Sequence, residues 1–210
     1  MDSSFNKYFS DEFLPSYHQK AEASIIDKYK NILPDNLVGI WELQGWSGYF
    51  NGLFWCVNPD VYSGILEDWL DSTELKNKGE YYVIAKSGFG DLLVFERNSA
   101  HIFTLNSVFG FISANKEKLT NKANADAANR SIVTKFVMLN KDTLDVENNG
   151  VGIFENAFNK LGHLKPDEIY GFEPLLSLGG EINVDNLSKV KDIVHLSIIR
   201  QFVDLEVKYF

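Results

Sequence analysis

The stretch from Leu33 to Val94 constrains the fold more than any other part of this chain, because it holds every tryptophan. A tryptophan side chain buries a large apolar area, so four of them in a short run predict a shared core or a shared surface. The four residues are Trp41, Trp46, Trp55 and Trp69. A fold for this chain must therefore accommodate this group of aromatic rings within its first third.

Cap and turn residues divide the stretch into short elements. Pro34 suits the first turn of a helix, and Gly45 suits its end. The helical face between them is mostly apolar and comprises Leu33, Leu37, Ile40, Trp41 and Gln44. Asn51-Gly52 predicts a two-residue hairpin turn, because both turn positions need a positive φ. Asn58-Pro59-Asp60 predicts the start of a second helix. Its apolar stripe is Tyr62, Ile65, Leu66, Trp69 and Leu70.

Strand patterns follow this helical region. Four short apolar runs are separated by turn residues and lie at 81–85, 92–95, 101–105 and 108–112. They predict a four-stranded antiparallel meander. The next segment, 113–130, is polar and alanine-rich, and is interpreted either as a boundary between subdomains or as the start of a helix. Residues 142–152 predict a polar loop, and residues 154–161 a short helix that Gly162 ends.

Together these elements predict an α+β protein, in which an antiparallel sheet is flanked by helices and carries a mainly helical C-terminal subdomain packed on it. The boundary is predicted between the units 1–115 and 116–210, packed as one unit. The mostly apolar run from Leu187 to Ile199 is expected to close the core. Residues 1–20 either dock on the fold or form a disordered tail.

The charge balance narrows the choice of partners. Twenty Lys and Arg residues against 29 Asp and Glu residues give a formal charge of −9. Nucleic acids and anionic membranes are bound through basic patches, so neither is expected as the direct partner. A basic protein partner fits, since an acidic surface accelerates its approach; solubility alone would also explain the charge.

The chain has no bilayer-length apolar run, no secretory signal and a single cysteine, Cys56, so we expect a cytoplasmic protein.

Metal and catalytic motifs are weak throughout. The four histidines are far apart and show no zinc-ligand spacing: His18, His101, His163 and His195. Asp145-x-Glu147-x-Asn149-Gly150 imitates the start of a calcium loop, but position twelve would be Asn156 instead of a bidentate Glu. Gly150-x-Gly152 and Ser113-x-x-Lys116 lack the partner motifs of phosphate-binding and serine–lysine sites. The sequence therefore predicts no catalytic site, no metal and no cofactor.

Acidic side chains are the candidates for binding a basic partner. They fall on the second predicted helix, in the loop after residue 140 and near Pro166, and the candidates are Glu67, Asp68, Asp71, Asp145, Glu147, Asp167 and Glu168. The alternative interpretation of such a set is an ordinary solvated surface.

Two blocks resemble known families. The run LPDNLVGIWELQGWSGYFNGLFWCVNPDVY, continued by YYVIAKSGFGDLLVF, resembles the GAD-like domain family. The runs LGHLKPDEIYGFEPLLSLGG and NLSKVKDIVHLSII are similar to the C-terminal domain of the immunity proteins that accompany type VI secretion DNase effectors. The two blocks span most of residues 20–201 and correspond to the predicted units 1–115 and 116–210.

The resemblance implies an immunity protein that binds and silences a cognate toxin effector, expected to be a basic nuclease domain. It implies no catalytic residues, and the oligomeric state stays open. Two rival hypotheses remain. One is an enzyme with a pocket walled by Trp41, Trp46 and Trp55 and served by His101 or His195. The other is a small-ligand or regulatory module that uses the same aromatic cluster without turnover.

Overall fold

The described part of the chain, residues 3–210 of a computed structural model, contains nine α-helices. They are α1 Ser3–Glu12, α2 Ala23–Tyr29, α3 Asp35–Gln44, α4 Pro59–Leu70, α5 Lys116–Thr120, α6 Ala125–Val137, α7 Lys141–Leu144, α8 Phe154–Leu161 and α9 Asp192–Arg200. The helix starts follow local chemistry. The Asn58 side chain accepts a hydrogen bond from the Asp60 backbone N–H at 3.0 Å, as the cap pattern predicts. Gly45 follows the last residue of α3 with a φ of 65°, also as predicted.

Eleven strands accompany these helices in the same range. They are β1 Gly48–Tyr49, β2 Phe54–Cys56, β3 Tyr81–Ser87, β4 Leu92–Glu96, β5 Ile102–Asn106, β6 Phe111–Ala114, β7 Glu147–Asn148, β8 Val151–Gly152, β9 Glu168–Phe172, β10 Leu187–Lys191 and β11 Glu206–Tyr209. Seven form one sheet in the order β1-β2-β3-β4-β5-β6-β11, while β9–β10 and β7–β8 are separate hairpins.

The centre of the sheet is the predicted antiparallel meander. Strands β3 to β6 pair in sequence order, with Val94 opposite Phe103 and Leu105 opposite Ile112. Strand β11 adds one parallel pairing, because Glu206 lies opposite Phe111 and runs in the same direction. The predicted α+β class is confirmed, and the sheet is mixed only at this edge.

Two cores lie on opposite faces of the sheet. Side chains alternate between the faces of a strand, and in β4 Leu92 and Val94 enter one core whereas Leu93 and Phe95 enter the other. We call them the α4-side core and the α3-side core, after a helix in each. The sheet is thus the middle layer of three.

The α3-side core is built from α1, α2, α3 and α6. Phe9 stacks on Phe13 at 4.6 Å between ring centroids and meets Phe136 of α6 edge-on at 5.5 Å. Of the two interpretations of residues 1–20, docking is therefore right from Phe5 onward; Met1 and Asp2 lie outside the described residues. Helix α6, from the C-terminal half of the chain, completes a core that the N-terminal helices began.

The α4-side core also combines the two halves of the chain, and here several C-terminal elements pack against N-terminal ones. Trp69 of α4 is fully buried with Phe154 of α8, Tyr170 of β9 and Leu196 of α9. The helices and the β9–β10 hairpin of the C-terminal half therefore pack against sheet and helix residues from the N-terminal half. The expected packing of the C-terminal part on the sheet is observed, and it involves both faces.

The tryptophans divide between the two cores instead of sharing one. Trp41 and Trp46 meet edge-on at 5.1 Å in the α3-side core. Trp55 and Trp69 lie in the α4-side core. The division follows from strand β2, because Phe54 and Cys56 face one way and Trp55 faces the other.

The predicted two-residue turn at Asn51-Gly52 is wrong. Tyr49 pairs with Phe54, so four residues connect the strands, and Phe50, Asn51 and Gly52 all have positive φ. The indole N–H of Trp55 donates to the Gly52 carbonyl at 2.8 Å and holds this wider loop. The two-residue turn occurs instead in the segment predicted as a polar loop, at Asn149-Gly150 between β7 and β8.

Candidate functional site

Helices α4 and α9 lie side by side with their N-termini at the same end. At that end the Tyr62 hydroxyl of α4 donates to the Asp192 carboxylate, the first residue of α9. At the other end the Arg200 Nε donates to the Asp68 carbonyl at 3.1 Å, and its guanidinium also donates to the Ser72 hydroxyl at 2.6 Å. Side-chain hydrogen bonds thus fix the helix pair at both ends.

A buried ion pair supports this helix pair from below. The Lys86 side chain on β3 has no exposed surface and forms an ion pair with Asp192. Its ammonium also donates to the carbonyls of Pro166 at 2.7 Å and Glu168 at 3.3 Å. Burial lowers the pKa of Lys86, and the Asp192 carboxylate acts in the opposite direction. Two charges tolerate such burial because each finds a charged partner and further hydrogen bonds.

The outer side of the helix pair exposes apolar side chains. On α9, Val194 and Ile198 are 61% and 41% exposed, and Phe202 just after the helix is 48% exposed. On α4, Val61 is 57% exposed. Scattered exposed apolar residues are ordinary, but these occur on two helices that pack against each other. We call this surface the α4–α9 face and define it by Val61, Glu67, Asp68, Val194, Ile198 and Phe202.

Three of the acidic residues proposed from the sequence lie at the C-terminal end of α4. Glu67, Asp68 and Asp71 are all exposed, and Asp71 forms an ion pair with Lys76. Glu67 and Asp68 carry no ion pair among the residues that the structure describes. They therefore add negative charge to the exposed surface of α4.

Two more of these acids lie at the other end of the helix pair. The Asp167 carbonyl accepts a hydrogen bond from the Asp192 backbone N–H at 3.1 Å, which puts Asp167 beside the start of α9. Its carboxylate pairs with Lys191 at 2.5 Å, and this ammonium lowers the pKa of Asp167. The Glu168 carboxylate accepts from the Lys165 backbone N–H at 3.0 Å. Acidic groups thus occur at both ends of the α4–α9 pair.

The remaining two acids lie elsewhere, Glu147 in the β7–β8 hairpin and Asp145 two residues before it. The Asp145 carboxylate accepts hydrogen bonds from the backbone N–H groups of Ile153 at 3.1 Å and Phe154 at 3.0 Å. It therefore holds the start of α8, and burial raises its pKa. Glu147 is exposed on β7. The structure does not join these two residues to the α4–α9 face.

Sequence reasoning missed the apolar part of this face. The run from Leu187 to Ile199 was expected to close the core, yet only Leu187, Leu196 and Ile199 among its aliphatic residues are buried. A signal was available, because α9 carries more aliphatic residues than one helical stripe can bury. The Lys86–Asp192 pair gave no local signal, since its members are far apart in the chain.

The tryptophan pocket of the rival hypotheses does not form. Trp41 and Trp46 are on one side of the sheet and Trp55 is on the other, so they do not wall one pocket. Burial lowers the pKa of His101 to about 4 and also lowers the pKa of His195. His195 borders a cavity of only about 10 Å³. Cys56 is buried, and burial raises the pKa of its thiol to about 12.

Within residues 3–210, no group of three or more His, Cys, Asp or Glu side chains is arranged to hold a metal ion. None of the helices described in that range has the length and apolar character to cross a bilayer.

Comparisons with known proteins agree with the resemblance seen in the sequence. The GAD-like domain family model matches residues 3–109, about half of the chain. A second family model, described as "T6SS immunity protein Tdi1, C-terminal", matches residues 130–203. Comparison with curated proteins finds no match. The fold is similar to the crystal structure of Atu4351 from Agrobacterium tumefaciens, with a TM-score of 0.83, 21% identity, and coverage of 97% of this chain and 91% of that chain.

Proposed function

The chain belongs to the GAD-like domain family, and because its C-terminal part also matches an immunity-protein family, we propose that it binds and neutralises a cognate type VI secretion toxin. The match over residues 130–203 carries this proposal. It covers α9 and Phe202, which contribute three of the six residues that define the α4–α9 face. We propose that the protein acts in the cytoplasm and has no catalytic role.

We further propose that the toxin is a nuclease with a basic domain. The charge of −9 supports this, since a nuclease needs a basic surface for DNA phosphates and an acidic inhibitor is attracted to it. An acidic inhibitor can occupy the phosphate-binding groove, or it can hold the toxin in an inactive shape. Both routes require a stable contact surface on this protein.

The α4–α9 face is our candidate for that surface. Protein interfaces combine an apolar centre with a polar rim. Val194, Ile198 and Phe202 supply exposed apolar groups, while Glu67 and Asp68 supply negative charge on the neighbouring helix. The rigid support from Lys86, Asp192 and Tyr62 reduces the ordering that binding would require.

The first test is co-expression with each candidate toxin encoded beside this gene. We expect cells to survive only when this protein is present, and the two proteins to co-purify at a fixed ratio. A plasmid-cleavage assay with the purified toxin then tests the nuclease proposal. If no neighbouring toxin is neutralised or co-purified, the immunity proposal fails. If a toxin is neutralised but does not cleave DNA, only the nuclease proposal fails.

The second test addresses the surface. The double reversal Glu67→Lys with Asp68→Lys should weaken toxin binding by about tenfold or more, because it opposes a basic partner. Its matched control is Asp11→Lys with Glu12→Lys, which makes the same charge change on exposed residues of α1, across the sheet. Binding measured by calorimetry at two salt concentrations separates these variants. Equal losses in both would reject the α4–α9 face and leave a general charge effect.

A further inference from the structure

One segment of this acidic protein is basic. Residues 113–141 carry two acidic residues, Glu117 and Asp126. Their basic residues are Lys116, Lys118, Lys122, Arg130, Lys135 and Lys141. The segment is therefore net positive, and the remaining residues together are more negative than the −9 of the whole chain. Residues 110–129 also lie between the two regions that the family models match, so this segment is mostly outside both.

The basic segment forms one wall of an open cavity of about 600 Å³. Helix α6 presents Arg130, Ser131, Thr134 and Lys135 along one side, as their helical spacing requires, and Met138 directly follows the helix. Helix α5 contributes Lys118, and the residues before β5 contribute the opposite side. This volume is in the range of pockets that hold a small organic ligand. We call it the α6 groove.

The groove concentrates positively charged side chains. Lys118, Arg130 and Lys135 line it, and none of its described lining residues is Asp or Glu. In the described part of the chain these three cations form no ion pair, whereas Lys28, Lys76 and Lys191 each pair with an Asp. Cations left without partners along one concave surface create a local positive potential.

The pKa shift of a partly buried residue in the groove, His101, reflects the same positive potential. His101 is 8% exposed, and its Nε2 accepts a hydrogen bond from the Asn115 backbone N–H at 3.0 Å. Its pKa falls to about 4 because of burial first, and then because the ammonium groups of Lys118 and Lys135 are close. Burial lowers the pKa of Lys135 as well. Lys118 and Lys135 come from different helices and line the same cavity as His101.

The groove also offers groups that bind an organic part. The hydroxyls of Ser99, Ser131 and Thr134 are hydrogen-bonding groups, and Ile102 provides apolar surface. Met138 and Phe210 line the same cavity and are 69% and 75% exposed, so their side chains are available to cover a ring. An exposed aromatic ring beside cations suits a ligand with a planar base and phosphate groups, since the base stacks and the phosphates pair.

From this combination we propose that the α6 groove binds a nucleoside phosphate, with its phosphates on Lys118, Arg130 and Lys135 and its base toward Met138 and Phe210. The site is separate from the α4–α9 face, because α6 packs in the α3-side core and α4 and α9 pack in the α4-side core. The proposal therefore does not depend on the toxin.

The test uses the purified full chain without toxin, in a phosphate-free buffer. Calorimetry measures the binding of ATP, of tripolyphosphate as the phosphate part, and of adenosine as the ring part. We expect saturable binding of ATP that is tighter than either part alone and that weakens as salt rises. The absence of saturable ATP binding, or equal affinity for tripolyphosphate, would overturn the proposal. Tighter binding of a single-stranded oligonucleotide than of ATP would overturn it in favour of a nucleic-acid site.

Matched variants locate the bound ATP. Arg130→Gln changes an exposed residue, so the fold should be retained, and we expect ATP affinity to fall by about tenfold or more. Lys135→Gln should have a similar effect, with thermal unfolding measured alongside because Lys135 is partly buried. Lys141→Gln removes the same charge from the same basic segment outside the groove lining, and should leave affinity unchanged. An equal loss in the Lys141 variant would contradict the assigned site.

Discussion

At the scale of single residues, Lys86 is the clearest case of a side chain on which the stability of the fold depends. Its ammonium holds Asp192 and two backbone carbonyls in the buried interior. Removing one partner of a buried pair leaves the other charge uncompensated, which is more damaging than losing an exposed pair. Lys76, paired with Asp71 at the surface, provides the comparison within the same protein.

We predict that Lys86→Met lowers the free energy of unfolding by about 3–5 kcal/mol, as for other broken buried pairs. Lys76→Met should lower it by less than about 1 kcal/mol, because that pair is exposed and screened. Urea denaturation measures both. Adding Asp192→Asn to the Lys86 variant should recover part of the loss, because no charge then stays buried alone. A double variant less stable than the single one would show that packing dominates.

At the scale of elements, the position of Gly45 requires glycine, whereas the position of Gly64 has room for a side chain. Gly45 follows α3 with a φ of 65°, and a Cβ there would lie 2.0 Å from the Gln19 carbonyl oxygen. That carbonyl accepts from the Trp46 backbone N–H at 2.8 Å, so the contact joins the segment after α1 to the end of α3. Gly64 lies within α4, and a Cβ there would meet no atom within 4 Å.

Gly45→Ala should therefore destabilise the protein by more than about 2 kcal/mol, since it combines a strained φ with a backbone clash. Gly64→Ala should stabilise it by about 0.5–1 kcal/mol, because alanine loses less conformational entropy in a helix. Thermal unfolding of both variants gives the comparison. A tolerated Gly45→Ala would mean that the segment before Ala21 shifts without loss, and that its docking contributes little.

At the scale of elements, the sequence predicts correctly the features that depend on residues close together in the chain. The Asn58 cap, the end of α3 at Gly45 and the four meander strands all depend on neighbours in the chain, and all were predicted. Asn51-Gly52 failed because the Trp55 indole and the pairing of Tyr49 with Phe54 favour a wider loop. The Lys86–Asp192 pair and the α6 groove join residues from distant parts of the chain, so no local pattern encodes them.

At the scale of the whole molecule, the two halves of the chain complete each other's cores. Ile132 and Phe136 of α6 are buried in the α3-side core, and Trp69 of α4 and Leu196 of α9 are both buried in the α4-side core. Strand β11 pairs with β6. The predicted division into 1–115 and 116–210 remains a prediction, and these contacts favour one cooperative unit over two independent ones.

We accordingly predict a single unfolding transition in urea. Tryptophan fluorescence reports both cores, because each core contains two tryptophans, and far-UV circular dichroism reports the helices and the sheet. The two curves should coincide, with one midpoint. A fragment of residues 1–115 should lack a cooperative transition, because it loses α6, α9 and β11. Two separate midpoints, or a cooperative fragment, would favour independent domains.

The parallel strand β11 also has a consequence for behaviour at high concentration. A sheet with an open edge can pair with the edge of another molecule and begin an aggregate. Here one outermost strand, β1, is only two residues long and is bridged by Tyr17, while β11 at the other edge exposes Glu206 and Lys208. Short, covered or charged edges discourage intermolecular strand pairing. The outermost strand β11 thus protects the sheet from self-association.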